Sequence, residues 1–86
     1  MTLFTREDCM SCDYIKKNFD LARLGVQVRV LSADNAAALA DLAWYGLVEE
    51  ARRQLPILIC DDDSPLLGPE AVRDYLIQRS FGLNAA

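Results

Sequence analysis

Apolar positions recur along this chain with two alternating periods, and the alternation sets an order of elements. Thr2 to Thr5 is short, apolar and β-prone, and reads as an opening strand. After the polar loop Arg6-Glu7-Asp8, a helical pattern starts near Met10. Cys12, Ile15, Phe19 and Ala22 share one face of it, with Lys16 and Lys17 off that face. Leu24-Gly25 is the expected stop, because glycine takes the left-handed conformation there without steric cost. Val26, Val28 and Val30 then alternate with Gln27 and Arg29, the period-two mark of a half-buried strand. Asp34 or Asn35 caps a second helix, with Leu39, Leu42, Ala43, Gly46 and Leu47 on one face. Gly46 either ends that helix or lies inside it, and Val48 to Arg53 suggests a further turn.

Gln54-Leu55-Pro56 leads into Ile57-Leu58-Ile59-Cys60, an apolar run suited to a buried central strand. Asp61-Asp62-Asp63-Ser64 is a turn signal, read as a solvated turn and not as a cation site. Leu66-Leu67 returns as a short strand, with Pro65 at its start or on an exposed edge. Gly68-Pro69-Glu70 opens the last helix, since proline suits a first turn and an acid suits its positive end. Val72 and Leu76 carry its buried stripe, with Tyr75 and Ile77 partly apolar. Arg79-Ser80 bounds it, and the tail from Gly82 to Ala86 is expected to fray. The predicted order is β-α-β-α-β-β-α: a single α/β domain over residues 1–86, with no linker or repeat.

Composition narrows the chemistry. A net charge of −4 repels phosphate backbones and anionic lipid, so neither nucleic acid nor a membrane is an expected partner. With no histidine, imidazole triads and imidazole metal ligands are excluded. No apolar run approaches the ~18 residues of a membrane span, and no signal-peptide pattern opens the chain. A cytoplasmic location is the expectation. Three cysteines do not make a secreted disulfide framework, which needs an even set.

The C-x-x-C pair Cys9–Cys12 then carries the site. Cys9 falls where the first loop meets the first helix, and Cys12 lies one turn inside. Unpaired N–H groups and the positive helix end favour an anion there and push the Cys9 thiol towards thiolate, the species that attacks disulfides. Arg6 helps, while Glu7, Asp8 and Asp13 oppose, so the expected acidification is moderate and the pair reducing. Cys12, three residues on, can resolve a mixed disulfide on Cys9.

At Phe4-Thr5-Arg6-Glu7-Asp8-Cys9-Met10-Ser11-Cys12 the chain resembles the glutaredoxins, in particular the small glutaredoxin-like redoxins that supply electrons to ribonucleotide reductase. Arg53-Gln54-Leu55-Pro56-Ile57-Leu58-Ile59 is similar to that family's proline-containing approach to its third strand. Gly68-Pro69-Glu70 falls where the family has another site segment. The resemblance implies a thioredoxin-like fold of glutaredoxin type, with a central four-stranded mixed sheet flanked by helices. It implies a cis bond before Pro56, whose neighbouring backbone at Leu55 aligns the incoming chain, and an Arg6 that meets a glutathione carboxylate. It places Gly68 among the substrate-binding residues. The implied activity is dithiol–disulfide exchange on a disulfide-containing protein, recharged by a reductase or glutathione, with no tightly bound cofactor and no metal. Three features depart from the family. Met10-Ser11 replaces the usual Pro-Tyr, Gly68-Pro69 replaces paired glycines, and Ala43-Trp44-Tyr45-Gly46 lengthens the second helical region.

Two other readings compete. Metal carriers of similar size also place C-x-x-C at a loop–helix junction, but they run β-α-β-β-α-β, and a structural zinc wants four ligands where only Cys60 is left. A binding module with a redox-switched cysteine pair is the second. Cys60 itself reads as a small buried hydrophobe, and Trp44 and Tyr45 as packing or a partner-facing patch.

Overall fold

Leu3 and Phe4 are neighbours in the first strand, point to opposite faces of one sheet, and so begin two separate cores. In the computed structural model, which describes residues 1–84 and side chains as far as Phe81, the strands are β1 (Thr2–Thr5), β2 (Gln27–Val30), β3 (Ile57–Ile59) and β4 (Pro65–Leu67). The helices are α1 (Met10–Asn18), α2 (Ala36–Trp44), α3 (Val48–Arg53) and α4 (Pro69–Asn84). The sheet order is β2-β1-β3-β4, with β1 parallel to β2 and antiparallel to β3, and β3 antiparallel to β4. This is a small α/β domain built on a mixed four-stranded sheet, compatible with the thioredoxin-like arrangement that the resemblance implies.

Register keeps the two cores apart. Leu3 faces Val28 and Leu58, and Leu58 faces Leu66, so these share one side with Ile15 of α1 and Val72 and Leu76 of α4. Phe4 faces Ile57, and Ile57 faces Leu67, on the side covered by Leu42, Leu47 and Ala51 of the α2–α3 region. Helix α1 straddles the end of the sheet: Ile15 belongs to the first core and Cys12 to the second. Ile57, Leu58 and Ile59 are all buried, as an apolar run between two neighbouring strands requires.

Several expectations need correcting. Helix α1 ends at Asn18 and not at Leu24-Gly25: Phe19 is extended, and Asp20 starts a separate turn by accepting from the Arg23 N–H at 3.2 Å. Gly25 keeps its positive φ of 76°, but in the turn that feeds β2. Gly46, at φ 72°, ends α2, and Val48–Arg53 is a helix of its own, so the order is β-α-β-α-α-β-β-α. On α2 the inward residues are Ala38 and Leu42, while Leu39 is 50% exposed and Ala43 faces out. Helix α4 passes Ser80 and runs to Asn84, which corrects the frayed tail for 82–84; Ala85 and Ala86 lie outside the described residues.

Candidate active site

Cys9 and Cys12 meet where β1 hands over to α1. Cys9 is the N-cap, in extended conformation, and its Sγ accepts a hydrogen bond from the Cys12 N–H at 3.1 Å. Sulfur thus stands where a serine or aspartate oxygen ordinarily takes one of the unpaired N–H groups of a first turn. The two sulfurs are joined as a disulfide, with their Cα atoms 5.2 Å apart. Cys9 is half-buried and Cys12 fully buried. Cys9 is therefore the partly exposed member of the pair and Cys12 the enclosed one.

Charges around the pair are sparse. Arg6, Glu7 and Asp8 are exposed and join no ion pair among the described residues, whereas Asp13 is 3.6 Å from Lys16. Lys16 therefore shares the charge of the nearest acid within α1. The start of α1 and the Cys12 N–H face the Cys9 Sγ, while Glu7 and Asp8 stand in solvent.

The other anticipated residues fall into two groups. Leu55 and Pro56 are buried beside the dithiol's core; Leu55 packs in one cluster with Cys12, and the Leu55–Pro56 bond is cis. The Pro56 carbonyl accepts from the Gly68 N–H at 3.0 Å, and the Gly68 carbonyl accepts from the Val72 N–H at 3.2 Å, so Gly68 ties β3 to the start of α4. Its φ of 90° suits glycine, and a Cβ there would lie 2.8 Å from the Gln54 Oε1. Arg6 stands apart from these three, on a groove with Leu31, Val48 and Arg52.

Three features lay outside the sequence reading. Met10, between the two cysteines, is 88% exposed and borders a groove with Tyr14, Pro69 and Glu70, where the starts of α1 and α4 come together. The i, i+4 spacing of Met10 and Tyr14 was the available signal. Thr5 is fully buried, and its hydroxyl finds no hydrogen-bond partner. Gln54 fills the space over Gly68. Cys60 is a buried free thiol in the first core, across the sheet from the dithiol. Burial first, and the Cys60 thiol next, push the neighbouring Tyr75 phenol above its ordinary value.

No family model, no curated protein and no solved structure matches the chain. Geometry and chemistry therefore carry the reading alone. The cysteine pair can close and open one disulfide, a two-electron change, and so has redox capacity. Among the described residues no three Cys, Asp or Glu side chains gather to hold a metal ion, and no helix is long and apolar enough to cross a membrane.

Proposed function

We propose that the chain is a thiol–disulfide oxidoreductase of glutaredoxin type, with a thioredoxin-like fold and Cys9 as its nucleophile. The observation that carries this is the pairing of an accessible Cys9 at the N-cap of α1 with a buried Cys12 in bonding distance. In the reduced protein the Cys9 thiolate attacks one sulfur of a substrate disulfide. A bond forms from Cys9 to that sulfur, and the other leaves as thiolate and takes up a proton. Cys12, losing its proton, then attacks the Cys9 Sγ. The internal disulfide forms and the second substrate thiol leaves. Two electrons and two protons reach the substrate. A reductase dithiol or two glutathione molecules return the pair to the reduced state.

Burial of Cys12 suits this division of labour, because a resolving thiol works inside the protein and is shielded from competing disulfides. Leu55 packs in one cluster with Cys12 and the Pro56 carbonyl is held by the Gly68 N–H; the role proposed for these three residues is to set the backbone beside which a substrate chain aligns. Disulfide-bearing proteins are the proposed substrates, and a reducing compartment such as the cytoplasm the proposed setting. The run of α2 and α3 between β2 and β3 favours this reading over a metal carrier of β-α-β-β-α-β order.

Reduction of hydroxyethyl disulfide and of insulin, coupled either to glutathione and its reductase or to thioredoxin reductase, tests the proposal. Wild-type protein should turn over, Cys9→Ser should lose all activity, and Cys12→Ser should accumulate a mixed disulfide on Cys9. Tight copper or zinc binding with no reduction of either disulfide would replace this reading with metal carriage.

A further inference from the structure

The groove that holds Arg6 has a second character that the dithiol does not explain. It encloses about 340 Å³, and Leu31, Leu39, Leu42 and Val48 supply its apolar lining. Among the described residues its only charged lining side chains are those of Arg6, from the loop after β1, and Arg52, from α3. Leu31, Leu42 and Val48 also belong to the core that packs Cys9 and Cys12, so the groove is the outer surface of the dithiol's own cluster. Leu39 is half exposed on its wall, an apolar side chain that a partner would cover.

We infer that this groove docks an extended polypeptide segment in which an aliphatic residue stands beside an acidic one, the aliphatic side chain entering between Leu39 and Val48 and the carboxylate meeting Arg6 and Arg52. This rests on the oxidoreductase reading only in making that segment part of the disulfide substrate. Charge complementarity selects the occupant: the two cations come from separate walls, and no acid lines the groove to oppose a carboxylate. Arg6 joins no ion pair among the described residues, and Arg52 has one carboxylate partner, Glu49 at 3.5 Å, in a largely exposed pair of the kind that solvent weakens. Both arginines are exposed, so the groove lacks the buried polar anchor that fixes a small metabolite, and a chain that adds contacts along its length fits better. The net charge of −4 disfavours an extended polyanion, whereas a single carboxylate in contact with two arginines answers to the charges within ~8 Å of it, those farther off being largely screened at physiological salt.

The test is a calorimetric titration of the full chain with acetylated, amidated, cysteine-free hexapeptides. One carries adjacent leucine and glutamate, one has lysine for the glutamate, and one has serine for the leucine. The leucine–glutamate peptide should bind about tenfold more tightly than either control, as loss of one buried aliphatic group or one charge contact implies. Leu39→Glu, which puts a carboxylate on the groove wall, should abolish that preference. Arg6→Ala with Arg52→Ala should weaken binding about fivefold and flatten its salt dependence. A Cys9→Ser, Cys12→Ser protein cannot exchange disulfides but should bind the peptide unchanged. Equal binding of all three peptides, or none, overturns the docking inference while leaving hydroxyethyl disulfide reduction to judge the oxidoreductase reading. Failure of that reduction alone overturns the latter and leaves the groove standing.

Discussion

A hydroxyl buried without a partner is a cost that a single atom exchange can remove. Thr5 lies at the end of β1 with no exposure, and its Oγ1 has no hydrogen-bond partner among the described residues. Such a group loses its water and gains nothing in return, a penalty of roughly 1–3 kcal/mol. Thr5→Val keeps the branched shape that a strand favours and replaces the hydroxyl with a methyl group. It should raise stability by about 1 kcal/mol in a urea melt; an unchanged midpoint would mean that the hydroxyl has a partner in solution. The turn after β3 gives a second test with a definite sign. The Ser64 hydroxyl, at 2.6 Å, and then the Ser64 N–H, at 3.1 Å, hold Asp62 below the ordinary carboxylate value. The folded protein therefore prefers the ionised form. That contribution is complete above the ordinary aspartate range and is lost as pH falls through the lowered folded value. An NMR titration of the Asp62 carboxyl should show a midpoint below the ordinary aspartate value, and Ser64→Ala, which removes the hydroxyl but keeps the backbone N–H, should move it part of the way back up.

Strands and the helix starts at Cys9, Asn35 and Pro69 are written in side chains and were legible; the start of α3, which no side chain caps, and the ends of α1 and α4 were not. Asn35 accepts from the Ala38 N–H at 3.1 Å and donates to the Val30 carbonyl at 3.1 Å, so one residue caps α2 and pins it to β2. With no acid in the first turn of α2 and no base in its last, that cap carries the terminus. Asn35→Ala should cost about 1 kcal/mol, and Asn35→Asp, which keeps the acceptor but loses the donor to Val30, should cost less. Equal losses in thermal melts would show that the link to Val30, and not the cap, carries the contribution of Asn35. The misread ends have equally local causes. An aspartate inside an apolar period was the overlooked sign at Asp20, since its side chain competes for backbone N–H groups and opens a new turn. At Ser80 the reverse occurs: the hydroxyl bonds back to the Leu76 carbonyl at 2.9 Å, and α4 continues. In the alanine-rich α2 the period put Leu39 inward with Leu42; Leu42 does pack with Phe4 and Ile57, but the second inward residue is Ala38, one turn before it, and Leu39 is left half exposed. The cysteine pair was legible because three residues along one helix start fix its geometry locally. The groove beside Arg6 was not, because Arg52 reaches it only through the fold.

Taken whole, the molecule places its chemistry on one of two cores that a single sheet divides. The α1–α4 side holds Leu58 and the buried Cys60; the α2–α3 side holds Ile57 and, at the end of the sheet, Cys12 with Cys9 packed against it. Ile57 and Leu58 are adjacent, both fully buried, and point to opposite faces. Truncating either to alanine leaves a cavity and should cost about 2–5 kcal/mol. That is a large share of the roughly 4–13 kcal/mol expected at 0.05–0.15 kcal/mol per residue, so both variants are best compared at low temperature, where they stay folded. Their chemistry should differ although their stability losses match. Ile57→Ala opens space in the cluster that positions Cys12, and should change the rate at which reduced Cys9 is alkylated by iodoacetamide. Leu58→Ala should leave that rate near wild type, because its cavity lies across the sheet. A close-packed interior transmits strain to whatever it touches and much less to what a continuous layer of paired strands separates from it. Equal changes in both variants would show that α1, which sends Ile15 to one core and Cys12 to the other, couples them. The dithiol would then report on the packing of the entire domain.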